Sequence, residues 1–286
     1  MICEDNSFSK KLVIGLKNYK NYFFKNKLNI PLNININSEK LHFKKYNPAA
    51  FDFAKEYNKT PLKPELDDLC RLHYLVRNRK VTTILEFGVG KSTLIFDDAL
   101  KKNYKEFNKT IVKEKMIRRS NMFECHTVDD QAKWINNIKK NFKTKKVIFH
   151  KTNVKMTTFA GRRCTLYDKL PKISPDFIYL DGPARFSARG NVKGWTTNFS
   201  DGVPMAADIL SIEHFLMPGT LIVVDGRTAN ARFLKSNLQR DWIYTHDDKF
   251  DQHFFELCEK PLGIYNKRQI EFCLGKKYFF RLKNKF

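Results

Sequence analysis

The chain has 286 residues, 42% of them hydrophobic, and a formal net charge of +23. That length supports a full core, in one large domain or one domain with a sizeable extension. No apolar run is long enough to span a bilayer, and the N-terminus has neither the long apolar stretch nor the small-residue cleavage site of a signal peptide, so a cytoplasmic protein is expected. The charge admits nucleic acid, an anionic membrane surface or an acidic substrate as partner. Its lysines are spread along the chain rather than gathered in one block, and Lys, Asn, Ile and Phe are all abundant, as AT-rich codon usage alone would give. The six cysteines, Cys3, Cys70, Cys125, Cys164, Cys258 and Cys273, include no zinc-type C-x-x-C pair and read as reduced core thiols.

Residues 1–60 are an irregular extension rich in Lys, Asn and aromatic residues. Within it, residues 8–24 suit a basic amphipathic helix with Leu12, Leu16, Tyr19 and Phe23 on one side. That helix is expected to dock on the main domain, with peripheral membrane contact as the alternative. From residue 61 to 286 strands and helices alternate. Residues 64–76 have helical spacing with acids in the first turn. Residues 81–87 form a buried strand, and a helix begins at 92. Residues 101–121 read as a basic surface insertion. The next strand, 123–128, ends in Asp129-Asp130; a helix over 131–142 and a strand over 146–149 follow.

Two continuous apolar strands then end in aspartate: Phe177-Ile178-Tyr179-Leu180-Asp181, and Thr220-Leu221-Ile222-Val223-Val224-Asp225 after the turn Pro218-Gly219. Residues 205–215 between them read as a crossover helix. A helix over 228–238 and strands near 242–245, 254–258 and 270–274 complete the chain. Continuous apolar runs separated by helices signal a parallel sheet covered on both faces. The fold class is α/β: a Rossmann-like open, mostly parallel sheet with helices on both faces, plus the basic N-terminal extension.

The segment Ile84-Leu85-Glu86-Phe87-Gly88-Val89-Gly90-Lys91-Ser92-Thr93 has two readings. Gly90-Lys91-Ser92 matches the end of the phosphate-binding pattern G-x-x-x-x-G-K-[ST], but the first glycine is replaced by Leu85, which belongs to the strand. Too little loop remains to surround a triphosphate. Gly88 and Gly90 instead suit a tight strand-to-helix turn that lets a ligand approach bare backbone. In an open parallel sheet, ligands bind at the carboxyl ends of the strands. There Glu86, Asp129 or Asp130, Asp181 and Asp225 converge. An acid ending the second strand suits ribose hydroxyls, and so many acids would repel a diphosphate.

On Glu86-Phe87-Gly88-Val89-Gly90, Val128-Asp129-Asp130, Phe177-Ile178-Tyr179-Leu180-Asp181-Gly182 and Pro218-Gly219-Thr220-Leu221-Ile222-Val223-Val224-Asp225, the chain resembles the class I S-adenosylmethionine-dependent methyltransferases over roughly residues 64–260. The resemblance implies S-adenosyl-L-methionine as cofactor. Glu86, Gly88, Gly90, Asp129 and Asp130 would bind it, with the methionine portion on Gly88 and Gly90 and the ribose on Asp129 or Asp130. Asn153 would lie near the adenine. Within the superfamily the chain looks most like the small-molecule and glycan O-methyltransferases. The metal-dependent catechol-type branch carries Asp on the fourth strand end and Asp-Asn on the fifth. Asp181 and Asp225 match, whereas Gly226 stands in place of Asn. Two carboxylates are a thin ligand set for a hard divalent ion, so no metal residues are assigned.

Methyl transfer is an in-line displacement that needs the acceptor oxygen placed behind the methyl group, with a base nearby. Asp181 and Asp225 are the catalytic candidates; each could instead cap the turn that follows it. Arg185, Arg189 and Arg227 lie in loops at the site mouth, where arginines can hold an anionic acceptor. The loop 182–202 carries Phe186, Trp195 and Phe199 among small polar residues, which suits sugar stacking or a lid. Arg185, Trp195 and Arg227 are thus the acceptor-binding candidates. His126 and His214 read as structural. Three other functions stay open: a nucleic-acid methyltransferase, which would gain from an N-P-P-Y-type motif where Asp181-Gly182-Pro183-Ala184 stands; a P-loop NTPase or kinase with Asp181 or Asp225 on magnesium; and a non-catalytic interaction protein.

Overall fold

The structure, a computed structural model, describes residues 3–4, 16–36, 41, 43, 65–110, 116–142 and 145–285. A short strand β1 (Cys3–Glu4) and helices α1 (Tyr19–Lys25) and α2 (Asn29–Leu32) precede α3 (Leu66–Asn78). Then come β2 (Thr83–Phe87), α4 (Lys91–Phe107), β3 (Glu124–Asp129), α5 (Ala132–Lys139), β4 (Val147–Lys151), β5 (Val154–Phe159), β6 (Arg162–Tyr167) and β7 (Phe177–Leu180). The chain closes with α6 (Asp208–Ile212), β8 (Leu221–Asp225), α7 (Thr228–Asn237), β9 (Trp242–Asp247), β10 (Gln252–Leu257), α8 (Gly263–Cys273) and α9 (Lys276–Lys285).

The main sheet runs β1-β9-β10-β8-β7-β2-β3-β4. Strands β2, β3, β4, β7 and β8 are mutually parallel, and β10 is antiparallel to both of its neighbours. This is the expected Rossmann-like α/β architecture. The central strands are fully buried because their side chains alternate between two helical layers. Leu85, Phe87, Ile178, Leu180, Ile222 and Val224 face α6 and α7. Ile84, Phe177, Tyr179, Leu221 and Val223 face α3 and α4. Buried Asn103 of α4 donates to the Val76 and Val81 carbonyls, which fixes α4 against the turn entering β2.

The chain leaves β2 for β3 and β4, then returns to β7 on the other side of β2. That reversal opens the sheet's crevice at the carboxyl ends of β2 and β7.

The extension docks as expected: Phe23, Leu28 and Leu32 are fully buried against Leu66, Cys70, Leu94 and Ile95. Of the helix expected over 8–24, residues 8–15 lie outside the described residues, and α1 begins at Tyr19. Five cysteines, Cys70, Cys125, Cys164, Cys258 and Cys273, are free thiols, four of them buried.

Three expectations are corrected, and one element was not foreseen. The basic stretch from 101 is not an insertion at its start, because α4 continues to Phe107, with Asn103 and Phe107 on its buried face; residues 111–115 lie outside the described residues. The strand expected at 270–274 is the end of α8, stopped by Gly275 at φ +66. The crossover helix expected over 205–215 shrinks to α6 and a 3-10 turn. The β5–β6 hairpin, turning on Ala160 and Gly161 at positive φ, had no counterpart in the reading of the sequence.

Candidate functional site

Gly88, at φ +99, begins the turn from β2 to α4. A side chain here would place its Cβ 2.9 Å from the Asp181 carbonyl oxygen, and one at Gly182 would come within 2.7 Å of the Gly88 nitrogen. These two glycines therefore let the loops after β2 and β7 touch backbone to backbone across the crevice. Gly90 is the open glycine: a Cβ there would meet only the Ser92 hydroxyl, at 3.7 Å.

Glu86 is fully buried at the end of β2 and accepts from the Ser92 hydroxyl at 2.6 Å and the Thr93 hydroxyl at 2.7 Å. With neutral donors and no cation, burial pushes its pKa up to about 7. It holds the first turn of α4 rather than facing a ligand. Lys91 reaches away, to the Leu32 carbonyl at 3.3 Å. With its lysine on the extension and both hydroxyls on Glu86, the loop has none of the side-chain arrangement of a phosphate cradle, and the P-loop reading fails on geometry.

Asp129, at the end of β3, spans the crevice's other wall. It accepts from the Val89 N–H at 2.8 Å and the Gln131 N–H at 2.7 Å. Burial outweighs both bonds and raises its pKa to about 6. Asp130 is half-buried and bonded to the Gln131 side chain at 2.8 Å. The Tyr167 hydroxyl is sealed without a partner, and its pKa is driven up by burial and then by the charges of Asp129 and Asp130. The β3 end thus offers a carboxyl pair beside the partly exposed backbone of Gly88 and Gly90, a set suited to sugar hydroxyls.

On the other side of the crevice, Asp225 accepts from the Tyr179 hydroxyl at 2.7 Å. Asp68, in the first turn of α3, is bonded to Gln252 at 3.3 Å, and Gln252 is paired with Asp225 across β10 and β8. Burial first raises both carboxyls well above the ordinary range, reinforced at Asp68 by the charge of Asp225 and at Asp225 by the charge of Asp181, so protons are retained here at neutral pH. Asp68, Tyr179 and Gln252 were missed in the sequence. The acids of α3 read as ordinary partners of the helix dipole, and only the fold brings them over β8.

Asp181 is the exposed acid of the set, its side chain 55% accessible. Arg227 sits beside it, with Nε 3.5 Å from Oδ1, and donates to the Asp181 and Pro183 carbonyls. Its side chain is only 11% accessible. Arg227 thus staples the loop after β7 and is not a free acceptor-binding group, which corrects the sequence reading. The same contact bears on a metal at Asp181 and Asp225: a cation already lies against the first carboxylate, Gly226 has no side chain, and the pair does not fit a divalent ion.

Arg185 also turns inward, donating to the Gly202 carbonyl at 2.8 Å and lying over the Phe186 ring. It closes the loop 182–202 on itself. Backbone bonds join the middle of that loop to β5, Met156 to Arg189 and Arg189 to Val154, both at 2.9 Å. Trp195 is half-exposed, packed edge-on against Phe199 at 5.5 Å, with Arg163 of β6 over its ring. Of the three acceptor candidates, Trp195 alone presents a free face. His126 is buried and bonded to His150, as a structural histidine would be, whereas His214 is exposed.

No family model matches the sequence, and no curated protein does. The chain is similar to a number of solved structures, among them the following three. A Podospora anserina methyltransferase, PaMTH1, bound to S-adenosylhomocysteine shares 14% identity over 71% of this chain and 84% of its own, with a TM-score of 0.40. The O-methyltransferase TomG of Streptomyces achromogenes, involved in tomaymycin synthesis and in complex with S-adenosylmethionine, shares 15% over the same fractions, with a TM-score of 0.37. Human N-acetylserotonin methyltransferase, also with S-adenosylmethionine, shares 12% over 66% of this chain and 55% of its own, with a TM-score of 0.31. At these identities the likeness is one of fold, and the functional reading rests on the site.

Proposed function

We propose that this chain is an S-adenosylmethionine-dependent methyltransferase acting on a hydroxyl of a small molecule or a glycan sugar. The observation that carries the proposal is the crevice between β2 and β7. Its loop backbone is held by Asp129, sugar-hydroxyl partners stand at the end of β3, and acids rather than arginines line its rim. A cofactor with a ribose and a net positive sulfonium suits that charge pattern, and a nucleoside triphosphate does not. In this reading Asp129, or Asp130 with its less occupied carboxylate, takes the ribose. Gly90 leaves room for the methionine portion, and Gly88 serves the loop contact with Gly182. The bound cofactor supplies the electrophilic methyl group.

The chain's residues place the acceptor and take its proton. Asp181, exposed at the mouth and steadied by Arg227, is positioned to accept a proton from an incoming hydroxyl. Asp225 is half-buried, bonded to the Tyr179 hydroxyl and raised in pKa, so it shapes the wall and does not act as the base. Trp195 and Phe199 offer an aromatic platform for a sugar or ring-bearing acceptor. Calorimetry with S-adenosylmethionine and S-adenosylhomocysteine, with and without magnesium, tests the central claim. Binding of both is expected irrespective of magnesium, and binding of neither would defeat it. ATP binding in their place would restore the nucleotide reading.

A further inference from the structure

We propose that His246, Asp251 and His253, at the tip of the β9–β10 hairpin, bind a divalent transition-metal ion of the zinc class, outboard of the methyl-transfer site. His246 and His253 face each other across the two strands, and their rings stack at 3.8 Å and 9°. Asp251, a turn residue at φ +48, brings Oδ1 to 3.5 Å from His246 Nε2 and 3.6 Å from His253 Nε2. All three ligand atoms lie within 4.8 Å of one another. Ligands around a tetrahedral zinc ion with bonds of 2.0–2.1 Å stand about 3.4 Å apart, so the carboxylate is already at ligand spacing from each imidazole. A small opening of the stacked rings brings both nitrogens to one ion.

The surroundings set the ligating tautomer at His246 and are compatible with it at His253. His246 Nδ1 lies 2.8 Å from the Asp248 carboxylate, which only accepts, so the proton sits on Nδ1 and Nε2 keeps its lone pair. That Nε2 is sealed from solvent without a hydrogen-bond partner. His253 Nδ1 lies 2.9 Å from the Tyr244 hydroxyl, which can take its proton. Outer partners of this kind orient metal-bound histidines. The Thr228 hydroxyl lies 2.8 Å from Asp251 Oδ1 and 3.2 Å from His253 Nε2 on the ligand side of the cluster. That one proton can serve only one of the two, and His246 Nε2 has no hydrogen-bond donor, so acceptors outnumber donors at a point that an ion would fill.

An ion there would brace more than the hairpin. The Gly226 N–H donates to the Asp251 carbonyl at 3.0 Å, and Thr228 opens α7. The site is therefore tied on both sides to Arg227, which staples the loop after β7.

The test is a titration of the chelator-stripped full chain with Zn²⁺ against a chromophoric competitor, followed by Co²⁺ spectroscopy. One equivalent of zinc is expected, with a rise in the melting temperature and tetrahedral cobalt bands lacking thiolate charge transfer. Asp251→Asn and His246→Asn should each weaken zinc binding by more than about a hundredfold, beyond the 10–100-fold typical of losing an outer partner. His150→Asn, in the other histidine pair, should leave it unchanged. Imidazole NMR of the unmutated chain needs no variant: zinc should shift the His246 and His253 resonances together. Zinc affinity unchanged in the two variants, a thiolate signature, or histidines that take up a proton only and no zinc would each overturn the proposal.

Discussion

Glu256 and Glu86 lie in the same sheet, equally buried, and titrate in opposite directions. Glu256, near the amino edge, is held between Arg79 and Arg281, bonded to Arg79 at 3.1 Å and to Arg281 Nη2 at 2.7 Å; despite burial, the two guanidiniums bring its pKa down to about 2. Glu86, at the carboxyl edge, has two hydroxyls and a pKa of about 7. The contrast extends along the edges. Asp176 on the amino side accepts from the Thr82 and Thr83 N–H groups beside Arg118, whereas Asp68, Asp129 and Asp225 on the carboxyl side are all raised by burial. One edge is charge-matched and holds the fold. The other keeps a surplus of carboxyls raised by burial with few cations to match them, the pattern from which the proposed site is argued.

The largest expected effect breaks the matched edge. Glu256→Gln would strand two buried guanidiniums and should cost about 3–5 kcal/mol in urea unfolding. The native ion triad also protects against acid. A carboxyl depressed in the folded state contributes stability above its unfolded pKa, lost as pH falls from about 4.5 toward 2.

Glu86 should show the reverse sign. Its raised folded pKa contributes stability that is present below about pH 4.5 and lost as pH rises through about 7. The difference is on the order of 3 kcal/mol, and Glu86→Gln should flatten the profile when urea midpoints are compared at pH 5 and pH 8.

Asp129→Asn tests the unmatched edge directly. Affinity for S-adenosylhomocysteine should fall by about tenfold or more, as expected for losing a bond to a charged group. Binding by the unmutated chain should tighten as pH rises through about 6, with proton release visible in buffers of different ionisation heat. An affinity independent of pH and of this substitution would remove Asp129 from the site. The smallest effect on stability belongs to Trp195→Ala: within about 0.5 kcal/mol for an exposed residue, yet raising the acceptor KM while cofactor affinity holds. Equal loss of both would show that the loop does not bind the acceptor.

The sequence carried the strands and the acids at their ends, because a buried parallel strand is a continuous apolar run that stops where the chain meets solvent. It did not carry the side chains' partners. Arg227 read as a mouth residue and proved to be a staple, since its partners are backbone carbonyls, which no residue pattern reveals. Asp68 belonged to the site only once α3 was laid over β8. The β5–β6 hairpin escaped because Lys155, Arg162 and Arg163 interrupt its apolar alternation, although Ala160-Gly161 carried a turn signal. The apolar run at 270–274 was compatible with either strand or helix, and Gly275 as a helix stop was the overlooked cue.

The contact between Gly88 and Gly182 has a consequence for how this protein can change. The loop that would cradle the cofactor and the loop that opens toward the acceptor share one seam of bare backbone, with no side chain between them to absorb a shift. A variant selected for a new acceptor through displacement of residues 182–184 would move the cofactor loop by the same step. New specificity is therefore best sought farther along, at the exposed side chains of Trp195 and Phe199, which do not form the seam.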